Sequence, residues 1–276
     1  MKTCLQRNAA GVLLALAAFS LGADAHEFWL DASPSRPAPG APAVLTLNVG
    51  EYFIGERVGV TTAHAVSLRV LSAGKEADLG RLVPTGPSML PSLPVTFDRA
   101  GSHVLAYESR PSTVVLAADK FHAYLHDEGL DAIVRQREAA GSAATPGRER
   151  FRRSAKALLA VGGKADGAST RVAGQRLEII PLTDPLSAAA GDTVRFSLRF
   201  EGRPQPGVLV KAWHRGAQQT TVLRATTDAS GMFSLALPFG GVWMLNAVHM
   251  VAATDSPEID WDSFWSSLTF ELRARK

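Results

Sequence analysis

The stretch "PGRERFRRSAKALLAVGG", residues 146–163, decides how the chain is divided. Its spacing predicts a helix. Phe151, Ala155 and Leu158 fall on one face, Pro146 and Gly147 precede it, and Gly162-Gly163 ends it. The basic residues are interleaved with glutamates, which suits a solvated helix surface. Just upstream, "DKFHAYLHDEGLDAIVRQREAAG" sets Phe121, Tyr124, Leu125, Leu130, Ile133 and Val134 at helical spacing, with Asp119 as a candidate N-cap and Gly129 as a divider. Residues 119–163 are therefore expected to be a helical insertion.

Either side of this insertion, the pattern is β. From residue 26 to 118, short alternating or apolar runs such as "AVLTLNVG", "AVSLRVLSAG" and "STVVLAA" are separated by Pro and Gly. From 175 to 274, "DTVRFSLRFEG" alternates Val194, Phe196, Leu198 and Phe200 with polar residues, and "PGVLVKAWHR", "GVWMLNAVHM" and "SSLTFEL" follow. The expected fold is mainly β: two β-sandwich modules, immunoglobulin-like or transthyretin-like, with the helical insertion between them.

Residues 1–25 read as a secretory signal peptide. Lys2 and Arg7 precede the apolar "AAGVLLALAAFSLG", and Ala23-Asp24-Ala25 offers a cut before His26. This implies a periplasmic protein. Cys4 lies within that segment, so the mature chain has no thiol. Disulfides, cysteine metal ligands and cysteine nucleophiles are excluded together. Loss of Lys2, Arg7 and Asp24 takes the formal charge from +3 to +2. That balance argues against a nucleic-acid partner, and no later stretch is long and apolar enough for membrane insertion of the mature chain. No nucleophile elbow, phosphate loop or dinucleotide fingerprint is present, so no enzyme activity is expected.

The histidines carry the chemical signal. Cleavage after Ala25 would make His26 the first residue, with its amine and imidazole Nδ1 able to chelate one cation. A third nitrogen from a distant histidine would complete a set suited to Cu(II) or Ni(II). Cleavage after Ala23 would instead expose Asp24-Ala25-His26, which can bind the same ions in a square plane. His122 and His126, four apart on a predicted helix, share a face and form a second candidate pair. Ala123, Tyr124 and Leu125 lie between them, so the pair lacks a metalloprotease glutamate. His249, in "WMLNAVHM", is either a core histidine or the partner of His26.

Several pieces resemble an exported family of unknown function, often described as periplasmic components of cobalt/nickel transport systems. They are "AHEFWL", "GEYFIGERV", "KFHAYLHDEGLDAIVRQREAAG", "PGRERFRRSAKALL", "GVWMLNAVHM" and "WDSFWSSLTFEL", spread over almost the whole mature chain. The resemblance implies a periplasmic β-sandwich linked to transition-metal handling, and it maps onto His26, Glu27 and His249. At position 122, where relatives are expected to carry asparagine, this chain has His122. The expected function is capture of Ni, Co or Cu through His26, with His249 as partner, and delivery to a membrane transporter component. The alternative is an exported binding module for a protein, peptide or glycan, anchored by Trp261, Phe264 and Trp265.

Overall fold

The structure is a computed structural model that describes residues 26–85, 89–216 and 220–275. The signal-peptide segment lies outside the described residues. Eight strands come first: β1 (Glu27–Ser33), β2 (Pro42–Glu51), β3 (Ile54–Val58), β4 (Ala65–Ser72), β5 (Lys75–Asp78), β6 (Leu93–Thr96), β7 (Gly101–Ser109) and β8 (Ser112–Leu116). Helices α1 (Ala118–Asp127) and α2 (Asp131–Ala139) follow. Then come β9 (Gly147–Val161), β10 (Leu177–Pro181), β11 (Thr193–Phe200), β12 (Arg203–Pro204), β13 (Leu209–Arg215) and β14 (Thr220–Thr226). The last are β15 (Met232–Ala236), β16 (Gly241–Ala252) and β17 (Trp261–Leu272). The chain is mainly β, with two helices between the strand groups, and none of its described helices is long and apolar enough to cross a membrane.

The expected third helix is a strand. β9 runs for 15 residues through the middle of a nine-stranded sheet ordered β14-β13-β16-β17-β9-β7-β4-β5, with β8 also paired to β9. Its inner half is buried on both faces. Ala155, Ala157, Leu159 and Val161 enter one core, while Leu158 and Ala160 enter another. A strand covered on both sides presents a continuous apolar run, and such a run cannot be told from a buried helix by its period.

The outer half of β9 shows the period of two. Arg148, Arg150 and Arg152 lie on one face and meet the acidic stretch before and within β17. Arg148 forks onto Asp260 at 2.5 and 3.0 Å, Arg150 onto Asp262 at 2.6 and 2.7 Å, and Arg152 reaches Asp262 at 2.9 Å. Arg150 also reaches Asp255 at 2.7 Å. The basic run is thus not a solvated helix face. It fastens the parallel β9–β17 pair, and β9 pairs in turn with β7 and β8 from before the helices.

Three layers pack on this sheet. On one face, the β10–β11–β15 sheet buries Phe196, Leu198 and Phe233 against Trp243, Leu245 and Phe270. On the other, the β1–β2–β3 sheet, with β6, buries Phe28, Leu30, Leu45 and Leu47 against Leu105, Tyr107, Ala155 and Leu159. The helices cover the rest of that second face through Phe121, Tyr124 and Leu125 against Val248, Trp261 and Trp265.

Phe121 seats where Gly147 has no side chain. A Cβ there would lie 2.3 Å from the Phe121 ring, whose neighbour is the Arg137 guanidinium at 4.8 Å. Gly147→Ala is expected to lower the unfolding free energy by about 1–3 kcal/mol through overpacking, read from the urea midpoint. An unchanged midpoint would show that the helices are not seated on β9 in this way.

Candidate functional site

The pieces "HEFW", "GEYF", "HDEG", "LVKAW" and "MLNAV" meet at one place on the second face of the large sheet. Val210 and Ala212 of β13, and Leu245 and Ala247 of β16, point into the first core. By alternation Lys211, Trp213, Met244 and Asn246 point the other way. Register sets Lys211 beside Asn246, and Asn246 beside Ser267 of β17. Trp213 and Met244 form an aromatic layer with Trp29 and Phe53. Two residues further along each strand lies a polar layer of Glu27, Lys211, Asn246 and Ser267, closed by the C-terminal end of α1.

The polar layer is almost dry. Lys211 Nζ contacts Asp127 Oδ2 at 2.6 Å and Glu128 Oε1 at 3.0 Å, and the Lys211 and Glu128 side chains are 2 % and 4 % exposed. Burial disfavours the Lys211 ammonium, yet Glu128 and Asp127 outweigh it and hold its pKa above the ordinary lysine value. Burial pushes Glu128 up to about 7 against the pull of Lys211. Burial, helped by the Glu128 charge, likewise pushes Glu27 up to about 7. Three carboxyl groups therefore share one ammonium, and the layer has an excess of acid. Its polar atoms are also under-used: Glu27 Oε2, both side-chain polar atoms of Asn246 and Ser267 Oγ are buried without a hydrogen-bond partner among the described residues, as is Trp213 Nε1 in the adjoining aromatic layer. Each such atom costs about 1–3 kcal/mol.

A tight hairpin caps this layer. Tyr52 and Phe53 link β2 to β3 with φ of 56° and 62°, the left-handed region that a two-residue turn of this kind requires and bulky side chains avoid. The backbone N–H of Tyr52 donates to the Glu27 carboxylate. Phe53 is buried against Trp29 and beneath the Arg215 guanidinium at 3.9 Å, and Tyr52 sits edge-on to Trp213.

His26 lies at the rim, immediately before Glu27. Its Nδ1 is buried, lacks a hydrogen-bond partner, and faces Glu51 Oε1 at 3.6 Å. His249 lies on the opposite face of the large sheet from this layer. Its ring packs on Phe200 with centroids 4.6 Å apart, and burial holds its pKa below the ordinary histidine value. His122 and His126 are brought together on α1, ring centroids 4.6 Å apart, and His126 Nδ1 pairs with Asp131 at 2.9 Å. His103 and His214 are each hydrogen-bonded to a backbone carbonyl, of Gly101 and Gly240. Among the described residues, no group of three or more His, Cys, Asp or Glu side chains is placed to hold a metal ion.

The expected aromatic anchors are core residues instead. Trp265 stacks on Tyr124 with planes 8° apart, Phe264 enters the first core, and Trp261 is 8 % exposed. Lys211, Glu128 and Asn246 went unremarked at the level of sequence. The available signal was a lone polar residue interrupting an apolar strand, as in "VLVKAW" and "WMLNAV".

The family described as "Domain of unknown function (DUF4198)" matches residues 23–251, which includes His26, Glu27, Glu51, Glu128, Lys211 and Asn246 of this site but not Ser267. The chain belongs to the DUF4198 family. No curated protein matches it. Among solved structures, a two-domain fibronectin type-III segment of chicken tenascin aligns at 10% identity over 87% of this DUF4198 chain and 97% of its own, with a TM-score of 0.19. A mutant Salmonella alpha-2-macroglobulin aligns at 14% identity over 92% of this chain, with a TM-score of 0.20, and this chain spans only 17% of it. The fold of the DUF4198 chain rests on its own strand order.

Proposed function

We propose that the mature protein captures a divalent transition ion (Ni, Co or Cu) in the periplasm and passes it to a membrane uptake system. The carrying observation is the unpartnered His26 Nδ1 facing the Glu51 carboxylate at 3.6 Å. Cleavage before His26 adds the free amine, which makes an N2O donor set from one residue and one side chain. Such a set suits borderline ions of this kind.

In this proposal Glu51 takes the partner role, and His249, across the sheet, serves packing. The mature protein is expected to bind Ni(II), Co(II) or Cu(II) at micromolar levels by calorimetry. His26→Ala is expected to abolish binding, and Glu51→Gln to weaken it at least about tenfold, in line with loss of one ligand. His249→Ala is expected to leave affinity unchanged. Absence of micromolar binding to all three ions would overturn the proposal.

A further inference from the structure

Helix α1 is seated by one face only. Phe121, Tyr124 and Leu125 are buried against residues of β16 and β17, and Gly129, at φ 69°, ends the turn that follows. The N–H of Gly129 donates to the His126 carbonyl at 3.1 Å, and the N–H of Leu130 to the Leu125 carbonyl at 2.7 Å. These bonds close the end of the helix and turn the chain back. Asp131, the first residue of α2, thereby lies against the last turn of α1.

Two histidines stand together on the face left outward. His122 is half-buried and His126 is exposed. Four positions apart on a helix, they lie one above the other, with ring centroids 4.6 Å apart and planes at 82°. A metal–nitrogen bond of about 2.0–2.1 Å, with ~1.1 Å from ring nitrogen to ring centre, sets two neighbouring imidazoles on one ion with centres roughly 4.5–5.2 Å apart. The short end of that range belongs to a right angle at the metal. The observed spacing lies there, and right angles suit square-planar or tetragonal Ni(II) and Cu(II). Crossed planes do not oppose this, because each ring turns about its own metal–nitrogen axis.

Asp131 decides which nitrogen of His126 is free. His126 Nδ1 lies 2.9 Å from Asp131 Oδ1. A carboxylate only accepts, so Nδ1 carries the hydrogen and Nε2 of the neutral ring keeps its lone pair. A carboxylate placed behind a ligating imidazole fixes its tautomer and raises its basicity. The His122 imidazole has no hydrogen-bond or ion-pair partner among the described residues.

We infer that His122 and His126 bind one Ni(II) or Cu(II) ion, with Asp131 as the positioning residue behind His126. Water completes the coordination. The site needs neither cleavage before His26 nor a free amine, so it stands apart from the metal capture proposed above. With two protein donors in place of three, it is the weaker of the two and fills above the micromolar range.

The test is calorimetric titration of Ni(II) into the mature His26→Ala protein. One ion is expected per chain, with a Kd of roughly 0.05–1 mM. His122→Ala or His126→Ala, added to His26→Ala, is expected to weaken binding at least about tenfold, and Asp131→Ala about tenfold. The His126 and Asp131 side chains are 53 % and 57 % exposed, so their removal leaves the core intact. In proton NMR spectra, paramagnetic Ni(II) is expected to broaden the imidazole signals of His122 and His126 ahead of those of His64, His103, His214 and His249. The carboxylates of Asp119, Asp127 and Asp131 attract any cation, so Ca(II) is the control. As a hard ion that takes oxygen ligands, it is expected not to displace Ni(II) at equal concentration. No Ni(II) heat at about 1 mM would overturn the inference. So would displacement by equimolar Ca(II), or a His122, His126 or Asp131 variant that binds like His26→Ala alone. None of these outcomes bears on His26, whose binding is read in the parent at micromolar ion.

Discussion

Lys156→Met is expected to lower the unfolding free energy by about 3–5 kcal/mol at neutral pH, the usual effect of removing one partner from a buried ion pair. Lys156 projects from the middle of β9 and contacts Glu178 at 2.7 Å, with side chains only 1 % and 2 % exposed. Burial holds the Lys156 pKa below the ordinary lysine value, against the pull of Glu178. Glu178 also accepts backbone N–H groups from Ala173 at 2.7 Å, Gly174 at 2.9 Å and Gln175 at 3.3 Å. Those donors keep part of the anion's solvation when Lys156 is lost, which places the effect near the lower end of the range. Adding Glu178→Gln to Lys156→Met removes the stranded charge and is expected to recover more than half of the loss. Urea denaturation of the two variants measures both numbers. A single-variant change under about 1 kcal/mol would mean that the pair is solvated in the folded protein.

Lys156 also shows what the sequence could and could not disclose. In "RRSAKALLAV" it looks like one cation on a helix with Phe151, Ala155 and Leu158 opposite. In the fold it is an inward-facing strand residue whose counter-charge lies 22 positions away. Strands with one wet face were legible: "DTVRFSLRF" became β11, with Val194, Phe196 and Leu198 in the core. β9 was not, because neither face of its inner half meets water and the alternation that marks a strand is erased.

The same limit governs the candidate site. His26 stood out because its chemistry depends on position in the chain alone. Glu51 was invisible as its neighbour, since only the β1–β2 register brings residue 51 opposite the start of β1. The Lys211–Glu128 contact spans 83 positions, and no local spacing announces it.

Glu27→Gln is expected to stabilise the protein at pH 8 and to have little effect at pH 5. Burial raises the folded-state pKa of Glu27 from 4.5 to about 7, so the folded protein prefers the protonated acid. Below pH 4.5 both states hold the proton and the shift has no effect. Between pH 4.5 and 7 the unfolded chain releases its proton while the folded chain keeps it, so stability falls as pH rises. Above pH 7 the loss is complete. A displacement of that size corresponds to roughly 3 kcal/mol, and about 2 kcal/mol of it falls between pH 5 and 8 once sharing of charge with Glu128 and Lys211 is allowed for. Glutamine stays neutral throughout and still accepts the N–H of Tyr52. The buried histidines His103 and His249 act in the opposite sense, because their lowered pKa values remove stability as pH falls through 6.5. They are common to both proteins and cancel in the difference. Urea midpoints of parent and variant at pH 5, 6, 7 and 8 therefore isolate Glu27: the gap should open with rising pH in favour of the variant. A constant gap, or one that opens in favour of the parent, would show that Glu27 is ionised and paired in the folded state.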